Sequence, residues 1–93
     1  MQYMRITDIK SLRKKIDQID TRLIDLLKKR QICTNKIGLI KKKLKFKVKN
    51  PERESSKLDS ISKTASKKGL NSNFIKRIFK KILKMSRRDQ KRL

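Results

Sequence analysis

Five polar side chains of this 93-residue chain occupy positions where a helical pattern asks for apolar ones. From Ile9, Leu12 and Ile16, through Ile19, Leu23 and Leu26, to Cys33, Ile37, Ile40 and Leu44, apolar residues recur at steps of three and four. The one missing step falls on Arg30. Lys41 lies eleven residues further on, about 20° around a helix, and so projects from the same side. Glu54 continues backwards the stripe of Leu58, Ile61 and Ala65. Ser86 and Gln90 continue forwards the stripe of Ile75, Phe79 and Ile82. A charge taken out of water is costly unless it is paired. Two cations, a carboxylate, a hydroxyl and an amide on inward faces therefore describe a polar cavity made for a polar, anionic ligand.

Composition narrows the chemistry. With no His and one Cys, the chain lacks the commonest general base and the commonest metal ligand. It cannot form an internal disulfide or a Cys-cluster metal site. Cys33 reads as a small buried hydrophobe on the apolar stripe. Against 8 Asp+Glu stand 30 Lys+Arg, a formal net charge of +22. Such a charge fits an anionic partner: nucleic acid, a membrane surface or an acidic small molecule. It also fits compositional drift, because 21 Lys to 9 Arg and 12 Ile to a single Val are the skew that A+T-rich codons give. Basic residues run through every segment, which favours drift. A basic helical nucleic-acid-binding module is the alternative function. Against it, no recognised binding motif and no one clear basic stripe are present. With no Trp, one Tyr and three Phe, stacking platforms are also few. The opening MQYMRITDIK lacks the apolar stretch of a signal peptide, and no run approaches the ~20 apolar residues of a membrane span. The expectation is a soluble, cytoplasmic protein with no membrane partner.

The elements that must position these residues are helices. Two Gly and one Pro are too few for an all-β chain. The expected fold is all-α, one domain over residues 1–93. A first helix covers about 7–45 with Asp8 as N-cap, and Gly38 is tolerated inside it at about 1 kcal/mol. Asn50 then reads as an N-cap and Pro51 as the first helical residue of a second helix, about 51–68, closed by Gly69 at C′. Asn71 caps a third helix, about 72–91. The first helix would be roughly 55–60 Å long, whereas a compact chain of this size has a radius of gyration of about 12–13 Å. The rest of the chain cannot cover it. Its stripe calls for a second long helix, most simply from a second copy of the chain.

The segments LRKKIDQIDTRLIDLLKKR (12–30), KIGLIKK (36–42), VKNPERES (48–55), KKGLNSNFIKRIF (67–79) and KILKMSRRDQ (81–90) resemble, in order and at family spacing, a chorismate mutase of the all-helical, intertwined-dimer class. The resemblance covers nearly the whole chain, Ile9 to Gln90, and implies an antiparallel homodimer. It implies that Arg30, with Arg13 from the other subunit, binds the two carboxylates of the chorismate dianion, supported by Arg53 and Ser86. Lys41 and Gln90 would hydrogen-bond the ether oxygen of the breaking C–O bond. Glu54 would hold the ring hydroxyl, helped by the backbone N–H at Asn50, a position where the family usually has Asp. The resemblance further implies aromatic amino acid biosynthesis, and an N-terminal place in a longer chain, such as one carrying a prephenate dehydratase, is an expectation it raises.

The implied chemistry agrees with the composition. The conversion of chorismate to prephenate is an intramolecular [3,3] rearrangement needing no nucleophile, metal, cofactor or proton shuttle. The protein must restrain a chair-like geometry and stabilise negative charge on the ether oxygen. Helix arithmetic agrees with sharing between subunits. In one unbroken helix Arg13 and Lys41 are about 42 Å apart and cannot touch one small ligand. An antiparallel partner brings Arg13 to about position 35, with the two-fold axis near residue 24. That is the most apolar stretch of the helix: Leu23, Ile24, Leu26 and Leu27. An interaction protein with a dead mutase site is disfavoured by the intact polar set.

Overall fold

The computed structural model describes residues 5–93. The reading of the opening segment as lacking an apolar leader falls partly on residues 1–4, which lie outside the described residues. The fold is all-α: three helices, α1 (Ile6–Lys43), α2 (Pro51–Lys67) and α3 (Ser72–Lys91), with no strand among the described residues. No helix among them is long and apolar enough to cross a membrane.

The start of α1 differs from expectation. Asp8 is not the N-cap but lies inside the first turn. Its carboxylate accepts from the Arg5 backbone N–H at 2.8 Å, while Arg5 O accepts from the N–H of Asp8 at 3.0 Å. A first-turn carboxylate reaching back to the chain before the helix satisfies an orphan donor and meets the positive end of the helix dipole. The helix also ends earlier than about 45. Lys45 takes a left-handed φ of 57°. The N–H of Phe46 reaches Lys41 O at 2.8 Å and that of Lys45 reaches Lys42 O at 3.3 Å. This is a Schellman closure with lysine where glycine is usual.

The second and third helices begin as their sequences dictate. Asn50 Oδ1 accepts from Arg53 N at 3.1 Å, ahead of Pro51. Asn71 Oδ1 accepts from Phe74 N at 2.9 Å. Gly69, with φ 73°, closes α2 in the same Schellman pattern: Leu70 N to Ala65 O at 2.9 Å and Gly69 N to Ser66 O at 3.1 Å.

The chain divides into two units, Met1–Ile32 and Cys33–Leu93. In the first, the stripe of α1 faces solvent: Leu12, Ile16, Ile19 and Leu23 are each more than half exposed, at 54%, 53%, 56% and 53%. In the second, α2 and α3 pack against each other. Ile61 and Ala65 are its buried apolar residues, and Ile75, Phe79 and Ile82 are half-buried. Cys33, expected to be buried, is exposed, because it shares the uncovered stripe of Ile37 and Ile40. The basic residues are also less evenly scattered than the sequence implied. Arg77, Lys80, Lys81, Lys84, Arg88 and Lys91 are all exposed and fall within one sector of α3.

Candidate active site

The C-terminal turns of α3 carry three polar residues of the second unit, one of which reaches Glu54 on α2. Ser86, Arg87 and Gln90 lie within about 100° of one another around the helix, and all three are half-buried. Each is tied down differently. Gln90 Nε2 donates to the Thr34 backbone carbonyl of α1 at 2.7 Å. Ser86 Oγ donates to Ile82 O, one turn back, at 3.0 Å. Arg87 Nη1 pairs with Glu54 Oε1 on the first turn of α2, both side chains being less than a quarter exposed, at 23% and 22%.

Gly38 makes the contact of Gln90 with α1 possible. It is the buried residue of α1 and stands one turn after Thr34. A Cβ there would lie 2.8 Å from Gln90 Cγ, 3.1 Å from Gln90 Cβ and 2.8 Å from Leu93 Cδ1. The two shorter distances are below ordinary van der Waals contact, so a side chain at this position would force the Gln90 and Leu93 side chains to shift. Glycine thus opens the approach of the amide to the Thr34 carbonyl. The same end of α3 is fastened once more, by Lys42 Nζ donating to Leu93 O at 2.9 Å.

Lys41, in the last turn of α1, is half-buried and donates from Nζ to Val48 O at 2.9 Å. It shares a shallow hollow with Phe46, Lys47, Lys49 and Asn50. The Asn50 side chain is engaged as the α2 cap, and Arg53 is exposed. Six of the eight residues singled out by sequence (Lys41, Asn50, Arg53, Glu54, Ser86 and Gln90) therefore belong to the second unit, and Arg13 and Arg30 to the first. Arg13 is exposed. Arg30 is half-buried, and burial lowers the pKa of its guanidinium. It remains a cation at neutral pH.

Three participants escaped sequence reading. Arg87 was hidden inside the basic run RRD, where its neighbour Arg88 is exposed. Thr34 contributes a carbonyl, which no side-chain pattern reveals. Gly38 read as a tolerated defect, whereas it is the notch on which Gln90 rests. A hollow on the outer face of α2, lined by Ser55, Ser56, Ser60 and Thr64, includes none of the residues singled out.

Comparison with known proteins gives this arrangement a family. The family model described as chorismate mutase type II matches residues 12–91. The chain is 34% identical over 86 residues to a bifunctional chorismate mutase/prephenate dehydratase of Buchnera aphidicola, covering 92% of this chain and 22% of that protein. It is 31% identical over 81 residues to the T-protein of Enterobacter agglomerans, covering 87% of this chain and 22% of that one. To a chorismate mutase of Methanocaldococcus jannaschii it is 29% identical over 86 residues, 92% of this chain and 87% of the other. The chain thus spans about a fifth of two of these relatives and most of the third. The sequence match from Leu12 to Lys91, laid over an all-α fold, makes this chain a member of the chorismate mutase type II family.

Proposed function

We propose that this chain catalyses the [3,3] rearrangement of chorismate to prephenate in the cytoplasm, within aromatic amino acid biosynthesis, as an antiparallel homodimer with shared sites and no cofactor. The observation that carries this reading is that a half-buried ammonium, Lys41, and a half-buried amide donor, Gln90, both belong to one unit of a chain of this family. An ammonium has three N–H groups and a carboxamide two. Val48 O and Thr34 O take one from each, and the remaining donors are those assigned to the ether oxygen. These carbonyls also hold both side chains in place before substrate arrives. Fixed donors aimed at charge that develops in the transition state lower the barrier without reorganisation.

Arg30 of one subunit and Arg13 of the other are assigned to the two carboxylates, with Arg53 and Ser86 in support. Glu54 and the Asn50 backbone N–H are assigned to the ring hydroxyl. Support for the dimer is the exposed stripe of α1: burying one Leu or Ile side chain stabilises by about 1.5–3 kcal/mol, and Leu12, Ile16, Ile19 and Leu23 all stand open in the single chain. Purified protein incubated with chorismate, with its mass in solution measured alongside, tests the reading. Consumption of chorismate and formation of prephenate by a dimer is the expected result; an inert protein, or an active monomer, contradicts it.

A further inference from the structure

Glu54 is held by a cation to which neither the inward stripes nor the family resemblance gives a role. Arg87 reaches it from α3 across 33 residues of sequence, and both side chains are mostly withdrawn from solvent. We propose that Arg87 is a positioning residue for substrate: it fixes Glu54 Oε1 and cancels the carboxylate's charge, leaving Oε2 to accept the hydrogen bond of the ring hydroxyl. This inference rests on the mutase reading above.

The reason is electrostatic. Glu54 is the one carboxylate among the residues assigned to substrate, and the proposed substrate is a dianion. A bare carboxylate beside a dianion repels it, all the more in a partly desolvated site. A neutral acceptor avoids the repulsion but gives a weaker hydrogen bond than an ionised one. Pairing with Arg87 keeps the ionised acceptor and removes its net charge. The carboxylate has two oxygens, so one can serve the guanidinium and the other the hydroxyl. Position on the helix agrees: Arg87 adjoins Ser86 and precedes Gln90 by three, inside the sector that carries the site. An arginine at this place is also geometrically fitted to grip a carboxylate through directed N–H groups.

A purely structural clamp between α2 and α3 makes different predictions. Steady-state kinetics with chorismate are measured for wild type, Arg87→Met, Arg87→Lys, Glu54→Gln and the double variant Glu54→Gln/Arg87→Met, with helicity and urea midpoints followed in parallel. Loss of a charge-assisted contact predicts that Arg87→Met raises KM about ten- to hundredfold with a smaller change in kcat. Arg87→Lys restores most of the loss. In the Glu54→Gln background, where no charge needs cancelling, adding Arg87→Met changes KM by less than about threefold. If Arg87→Met does not fold, Arg87→Gln, which keeps a donor but no charge, reads the same KM. An unchanged KM, an activity loss that only follows the loss of folded protein, or an equal penalty in both Glu54 backgrounds overturns the assignment. A wild type that leaves chorismate untouched overturns the mutase reading and this inference with it. An active wild type indifferent to Arg87 removes this inference alone.

Discussion

Gly38 and Gln90 meet so closely that a single added carbon would collide: a Cβ on Gly38 lies 2.8 Å from Gln90 Cγ and 3.1 Å from Gln90 Cβ. The residue assigned to the reacting oxygen is therefore placed by a residue with no side chain. Alanine is favoured over glycine in a helix interior by about 1 kcal/mol, so Gly38→Ala does not weaken α1 itself. It pushes Gln90 off the Thr34 carbonyl. The expected result is a folded protein whose kcat falls about tenfold or more, since misplacing a donor by about 1 Å is costly. Chorismate turnover at saturating substrate measures it. A Gly38→Ala variant with wild-type kcat contradicts the placement.

Gln90→Ala and Lys41→Ala should each lower kcat more than they raise KM, because both donors are assigned to charge that grows only in the transition state. Removing one such donor costs about 2.7–4 kcal/mol, a factor of roughly a hundred to a thousand in rate. Gln90 contributes no pH dependence of its own, as an amide does not titrate in the working range. If both variants change only KM, the two residues bind the ground state instead.

Lys45 carries a left-handed φ of 57° at the end of α1, a conformation that costs an L-residue about 1–2 kcal/mol. Lys45→Gly relieves it and should raise the urea midpoint by an amount equivalent to about 1 kcal/mol, the gain being reduced by the extra freedom of glycine in the unfolded chain. Activity should not change. A lower midpoint means that the lysine side chain contributes more than its backbone costs.

Folding and association should be one event. The uncovered stripe of α1 gives the single chain little to bury, so thermal and urea midpoints should rise with protein concentration. With 30 basic against 8 acidic residues, like-charge repulsion opposes association. Added salt should then stabilise the dimer over the range in which the Debye length falls from about 30 Å to 8 Å. Midpoints independent of concentration contradict the dimer.

Caps and periodicity made the helices legible. Asn50–Pro51, Gly69 and Asn71 have one physical use each, and the structure places them there. Asp8 misled because a carboxylate serves equally well as N-cap or in the first turn. The end of α1 misled because nothing in Leu44–Lys45 announces a left-handed residue. Polar residues on apolar stripes exposed most of the candidate site, since a buried polar group needs a reason. Gly38, Thr34 and Arg87 stayed hidden for the opposite cause: a missing side chain, a backbone carbonyl and a cation among thirty carry no pattern. The burial of Cys33 was inferred from a stripe that one chain leaves uncovered.

The shared site is the centre of this account, and mixing two inactive variants tests it most directly. Arg13→Ala and Arg30→Ala should each be nearly inactive as homodimers. Mixed in equal amounts, unfolded in urea and refolded together, they form heterodimers in about half of all dimers. If each site takes Arg30 from one chain and Arg13 from the other, one pocket of every heterodimer carries both lesions and the other carries neither. The mixture should then recover about a quarter of wild-type activity per pocket. With both arginines drawn from one chain, every pocket keeps a lesion. No recovery in a mixture shown to contain heterodimers would contradict the shared site and the antiparallel register centred near residue 24.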